Sequence, residues 1–135
     1  MFKAHGEYSI QRKGPLLLTN CKGPFNTELV ENHNSDITTI IDSMPSVWGQ
    51  VIVIHQDSLW TPDAERRMCQ TVSVRKSRGL RVSAVVLENP NSKAILKDQI
   101  SRVYDFAEVE HGFFEDTFSA ELWALTKIKP KNTIP

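Results

Sequence analysis

Hydrophobic and polar positions along the chain follow two rhythms that alternate, one of period two and one of period near 3.6. Residues 7–12 (Glu-Tyr-Ser-Ile-Gln-Arg) alternate polar and apolar, the pattern of a half-exposed strand at a sheet edge. Lys13-Gly14-Pro15 supplies turn chemistry, and residues 16–21 (Leu-Leu-Leu-Thr-Asn-Cys) form a second strand able to pair antiparallel with the first. Lys22-Gly23-Pro24 ends it. Asn26 then suits a helix N-cap, because its side chain can accept from a free amide of the first turn. Phe25 and Val30 stand at the two positions of a hydrophobic staple. Leu29, His33, Ile37, Ile40, Ile41 and Met44 recur at steps of three and four on one helix face, and Pro45 stops the helix.

The chain is organised around residues 48–79. Four consecutive β-branched residues, Val51-Ile52-Val53-Ile54, predict a central strand covered on both faces, as in a parallel sheet. A polar bend follows, and Thr61-Pro62-Asp63 opens a helix. Thr61 caps it, Pro62 fits its first position, and Asp63 faces the positive end of its dipole. Ala64, Met68, Val72 and Arg75 fall on one face; Arg75, Lys76 and Arg78 suit the helix C-terminus, and Gly79 closes it. Residues 81–87 read as another buried strand. Asn89-Pro90-Asn91 turns the chain, and residues 92–104 form a helix with Leu96, Ile100 and Val103 on its apolar face. Residues 106–110 (Phe-Ala-Glu-Val-Glu) read as a short edge strand. Asp116 or Thr117 caps a last helix bearing Phe118, Leu122 and Leu125, and residues 127–135 read as a frayed tail.

The expected architecture is therefore α/β: one mixed, mainly parallel sheet of about five strands with about four helices, in the order β-β-α-β-α-β-α-β-α. Residues 1–126 form one domain and residues 127–135 a C-terminal tail. Repeated β-α units imply right-handed crossovers with helices laid on the sheet.

Composition changes this picture little. The chain has 135 residues, room for one ordinary domain. Lysine plus arginine equals aspartate plus glutamate at 16 each, so nothing points to nucleic acid or an anionic membrane as the main partner. Cys21 and Cys69 are the only cysteines; a disulfide is open, but two thiols in a reducing compartment is the simpler reading. Residues 1–6 lack the apolar core of a signal peptide. No apolar run approaches the roughly 18 residues of a membrane helix. A cytoplasmic location without an integral membrane segment is expected.

The order of elements, over nearly the whole chain, resembles the STAS/SpoIIAA-like superfamily, whose founding members are bacterial anti-sigma-factor antagonists. The local likeness is greatest to its SpoIIAA-like branch, which looks related to lipid-binding CRAL-TRIO domains. Members of that branch tend to end in a strand, a short acidic segment and a helix carrying Ala-x-x-Trp. Here these are residues 106–110, Glu115-Asp116 and Ala120-Glu121-Leu122-Trp123. The resemblance implies a regulatory, non-enzymatic fold. One departure stands out. Regulatory members carry Asp-Ser-Ser-Gly where the central strand enters its helix, and a serine there is phosphorylated. This chain has Leu59-Trp60-Thr61-Pro62-Asp63-Ala64 instead, leaving Thr61, with Ser58 nearby, as the candidate phosphorylation sites.

Candidate chemistry is sparse. His55, Asp57 and Ser58 have the residue types of a hydrolase triad, but a triad converges from separate elements, and no G-x-S-x-G elbow presents a serine. They read as polar residues solvating the end of a strand. His5, His33, His55 and His111 show no metal spacing, and neither a Walker A nor a G-x-G-x-x-G sequence is present, so no metal, nucleotide or other cofactor is expected. Arg66, Arg67, Arg75, Lys76, Arg78 and Arg81 form a run without acids, and Asp105, Glu108, Glu110, Glu115, Asp116 and Glu121 a run without bases. Two solvated faces account for this, as would a bipolar surface that docks a partner or a second copy. Two functions follow. The first is a protein-interaction module, its partner unknown, docking through Asp57, Ser58, Trp60, Thr61 and Asp63. The second is a carrier or sensor of a small apolar, lipid-like ligand held near Trp60, Phe113 and Phe114. An exposed Trp60 would favour docking, and an enclosed apolar cavity would favour the carrier.

Overall fold

Two apolar layers sandwich one sheet, and the strands' alternation decides which residue joins which layer. The computed structural model describes residues 7–55, 58–88, 90 and 92–129. The elements are β1 (Glu7–Lys13), β2 (Leu16–Lys22), α1 (Thr27–Ile41), β3 (Trp48–Ile54), α2 (Pro62–Ser77), β4 (Leu80–Leu87), α3 (Lys93–Ala107), β5 (Glu110–Phe114) and α4 (Thr117–Ile128). The sheet runs β1-β2-β3-β4-β5 in spatial order. Strand β1 is antiparallel to β2, and β2 through β5 are parallel. The expected α/β architecture and element order are the ones found.

Strand β3 lies at the centre with every residue buried, as a run of β-branched residues demands. Its even positions, Trp48, Ile52 and Ile54, join the larger core with Leu29 and Ile37 of α1, Met68 and Val72 of α2, and Leu96 and Ile100 of α3. Its odd positions, Val51 and Val53, join a smaller core with Val82, Ala84 and Val86 of β4 and Ala120 and Ala124 of α4. Three helices therefore cover one face and a single helix covers the other.

Three helices start on side-chain caps. Asn26 accepts from the Leu29 amide at 2.9 Å, Thr61 from the Ala64 amide at 3.1 Å, and Asp116 from the Ser119 amide at 2.7 Å. Thr61→Ala should cost about 1 kcal/mol and Thr61→Ser much less, because serine keeps the acceptor oxygen. Chemical denaturation measures both; equal, negligible losses would show that the cap contributes nothing.

Three expectations are corrected. The last strand is Glu110–Phe114, not residues 106–110. Helix α3 continues through Phe106 and Ala107, because Ala107 still reaches the core, and Glu108 closes it at φ 59° while the Val109 amide reaches back to the Tyr104 carbonyl at 2.9 Å. A glutamate in the left-handed region carries no sequence signal of a helix end. Helix α4 extends to Ile128, so residues 127 and 128 belong to the domain, not to a tail. Most consequential, α4 turns Ala120 and Ala124 inward and Phe118 and Leu122 outward, the reverse of the apolar face expected. Two alanines let the helix lie close on the sheet, where Gly49 leaves no side chain and the Ile128 side chain fills the space above it.

Candidate functional site

The bend after β3 is stitched to the β2–α1 connection and to α3. Phe25 and Trp60 form a parallel bridge: the Phe25 amide donates to the Leu59 carbonyl at 3.1 Å, and the Thr61 amide donates to the Phe25 carbonyl at 3.0 Å. Gln99 of α3 clamps Trp60 from the other side, accepting from its amide at 3.0 Å and donating to its carbonyl at 2.9 Å. The indole, 7% exposed, lies in the core beside the Phe25 ring. Trp60 is therefore a structural pin and not an exposed contact. Ser58 is buried too; its hydroxyl accepts from the Gly23 amide at 3.2 Å and donates to the His55 carbonyl. Thr61 and Asp63 are exposed, Thr61 as a cap and Asp63 paired with Arg66. Asp57 lies outside the described residues. Gln99 was not foreseen, and an isolated glutamine in a helix gives no signal that would have found it.

The residues suggested for an apolar pocket separate. Trp60 and Phe113 belong to the larger core, while Phe114, one residue on, points to the opposite face against Trp123, ring centroids 5.2 Å apart. Lys97 lies over the Phe113 ring at 5.1 Å. The apolar gap at Trp60, between Tyr8, Leu29, His33 and Met68, holds about 20 Å³, one water's worth.

Cys21 and His33 look at first like a nucleophile and its base, with the sulfur 3.7 Å from Nε2. Their surroundings forbid it. The Thr19 hydroxyl has one hydrogen, which it donates to the Ser9 carbonyl at 2.9 Å. The 2.8 Å contact between Thr19 and His33 must then be donated by Nε2, so that nitrogen already carries its proton and cannot take one from Cys21. Burial, with the nearby Arg75 charge, pulls the His33 pKa down to about 3. Burial pushes the Cys21 thiol up to about 11 against the opposing pull of Thr19 and Arg75. Both groups are held neutral, the opposite of a thiolate–imidazolium pair. Tyr8 closes this cluster, its ring edge-on to His33 and its hydroxyl donating to Asp36 at 2.6 Å; burial first and that carboxylate second raise its pKa to about 12.

Arg75 is fully buried between helix and sheet. Its Nη1 donates to Gln50 Oε1 at 3.0 Å, and Gln50 in turn donates to Tyr104 at 2.9 Å and Ser83 at 3.2 Å. Among the described residues Nε and Nη2 have no hydrogen-bond partner, and burial lowers the guanidinium's pKa. A buried charge with one neutral partner adds little net stability. Arg75→Met should therefore change stability by no more than about 1–2 kcal/mol, the cost of leaving one Gln50 oxygen unpaired. A loss well above that in thermal unfolding would mean the guanidinium is better compensated than this.

Open clefts lie at both ends of the sheet. That at the carboxyl ends of β2 and β3, where α/β sheets bind ligands, holds about 330 Å³ between Tyr8, Asn20, Lys22 and His55, with His55 Nε2 3.2 Å from Asn20 Oδ1. Glu7 and Lys22 give it one charge of each sign. The other, about 500 Å³, mixes Lys76 and Arg81 with Glu108 and Glu110. Neither concentrates charge. The basic run of α2 is likewise met by acids, with Arg67 on Glu31, Arg78 on Asp42 and Lys76 on Glu108, so the separation of charge along the sequence does not survive as two bare faces. Among the described residues no group of three or more His, Cys, Asp or Glu side chains is placed to hold a metal, and no helix is long and apolar enough to cross a membrane. Cys21 and Cys69 are both free thiols.

Among the described residues large apolar side chains are exposed on three helices: Val74 on α2, Ile95 and Phe106 on α3, and Phe118 and Leu122 on α4. Phe118 is 74% exposed and Leu122 51%, one helical turn apart. No protein-family model, curated protein or solved structure matches the chain.

Proposed function

We propose that the chain is a non-enzymatic protein-interaction module of the STAS/SpoIIAA-like kind, with its contact face on the outer side of α4 and not at the bend of residues 55–61. The exposed Phe118 and Leu122 carry this reading. Large apolar side chains side by side on a rigid helix gain nothing from water, whereas a partner that covers them removes that surface from solvent. The element order supports the kinship. The neutral, hydrogen-bonded states of Cys21 and His33 support a module without nucleophilic chemistry. Of the two candidate control hydroxyls, Thr61 is accessible and Ser58 is not; a phosphate on Thr61 would meet the positive end of the α2 dipole. A lipid-like cargo needs a cavity of about 300 Å³ or more. The gap beside Trp60 offers about 20 Å³, so the carrier reading needs α1 and α2 to part.

Affinity capture from the native cell tests the proposal, comparing the wild type with a Phe118→Ser/Leu122→Ser variant whose circular dichroism matches it. The variant should lose at least one specific protein. An unchanged set of captured proteins would sink the reading, and a co-purifying lipid bound by both forms would turn it toward the carrier.

A further inference from the structure

Resting on the α4 contact face just proposed, we infer that its occupant is a second copy of this chain, docked antiparallel, α4 against α4, about a twofold axis near Leu122. Glu115, Phe118, Leu122, Leu125 and Lys129 follow one another at steps of three, four, three and four. Within α4 that spacing puts Phe118, Leu122 and Leu125 on one stripe, the kind of seam along which two helices pack, while Glu115 stands just before the Asp116 N-cap and Lys129 is the C-cap, one at each end. Phe118 and Leu122 lie opposite the buried Ala120 and Ala124 and are exposed, Leu125 at the margin is half-buried against the smaller core, and Glu115 and Lys129 are exposed at the two ends of the helix.

A twofold interface presents the same patch from both subunits, so the patch must complement itself. This one does. The acid lies seven residues before Leu122 and the base seven residues after it. An antiparallel pair with Leu122 on Leu122 sets Glu115 of each copy towards Lys129 of the other, twice. A parallel pair would set like against like. The helix dipoles also oppose favourably in the antiparallel arrangement. The flanking charges do not compete, because Glu121 is engaged by Lys13 and Lys127 by Glu110, each at 2.9 Å within the chain. Apolar residues thus supply the contact and the end charges its direction. One pair of twelve-residue helices buries a small area, so a weak dimer is expected, with a Kd of about 1–100 µM.

Sedimentation equilibrium of the full chain up to about 1 mM tests this. The wild type should dimerise with rising concentration. Leu122→Glu should weaken the dimer by about 100-fold with an unchanged melting curve, since Leu122 contributes little to the monomer's core. Lys129→Glu should weaken it about fivefold, and Glu115→Lys combined with Lys129→Glu should recover most of that loss. A wild type that stays monomeric, a dimer indifferent to Leu122→Glu, or a charge exchange that fails to recover overturns the inference. A monomeric wild type whose captured partner is still lost in Phe118→Ser/Leu122→Ser refutes the second copy while leaving the module intact. An unchanged capture removes the module itself.

Discussion

Replacing Gly79 with alanine should cost about 3 kcal/mol or more and lower the urea midpoint accordingly, the sum of backbone strain and overpacking. Gly79 closes α2 at φ 112°, a conformation L side chains rarely adopt. A Cβ there would stand 2.4 Å from the Ser46 carbonyl oxygen and 2.9 Å from the Trp48 ring. The Trp48 ring has no room to yield, and the Ser46 contact is to backbone, not to a flexible side chain. Trp48 is wholly buried, its indole Nε1 donates to the Arg78 carbonyl at 3.0 Å, and its amide donates to the Gly79 carbonyl at 3.0 Å. Gly14 provides the control: it also has positive φ, at 59°, but nothing lies within 4 Å of its missing Cβ. Gly14→Ala should cost only about 1 kcal/mol, for conformation alone. Equal losses at the two positions would show that the contact at Gly79 relaxes freely.

Acid should destabilise the fold through His33. The imidazole is neutral in the native state, its pKa lowered to about 3, while the unfolded chain titrates it near the ordinary 6.5. Between those values the unfolded state binds more protons, so stability is fully present above pH 6.5 and is lost as pH falls towards 3. One proton corresponds to about 1.4 kcal/mol per pH unit, a total of several kcal/mol across the window. Protonation would also put a second cation near the poorly compensated Arg75. His33→Gln keeps a donor for Thr19 and removes the titration. Stability–pH curves of the two proteins should therefore converge as pH falls, the wild type dropping more steeply. Glu31 and Glu65, held low by Arg67 and Arg102, steepen the acid limb of both equally and cancel in the difference. Parallel curves would mean that His33 takes up no proton on unfolding.

The strand–helix order could be read from the chain because local and global preferences agree through most of it. Val51 to Ile54 are apolar on both faces, and both faces are covered; Asn26 and Thr61 have capping chemistry, and both cap. Legibility fails where one residue type serves two environments. Phe118 and Leu122 have the spacing of a core face, and nothing local says that alanines take that place. Trp60 sits between polar neighbours yet is buried, because Phe25 and Gln99, distant in sequence, claim it. Arg75 fits both an apolar stripe and a helix C-terminus, and it occupies both. The exposure of the proposed α4 contact face was invisible for the same reason: exposure is a property of the neighbours, which a single sequence does not list.

The unequal cover of the sheet bears on how the protein is made. Three helices arrive between the strands they shield, each closing its part of the larger core as the chain lengthens. Among the described residues the second face is covered only by α4, and α4 is translated after every strand. Val51, Val53, Val82, Ala84 and Val86 therefore have no intramolecular shelter until Thr117–Ile128 emerges, and at ribosomal speed the twelve residues of that helix take about a second to add. A sheet that forms before α4 would carry this apolar face bare for that interval. A pause that delays α4 would lengthen the time this face waits for its cover.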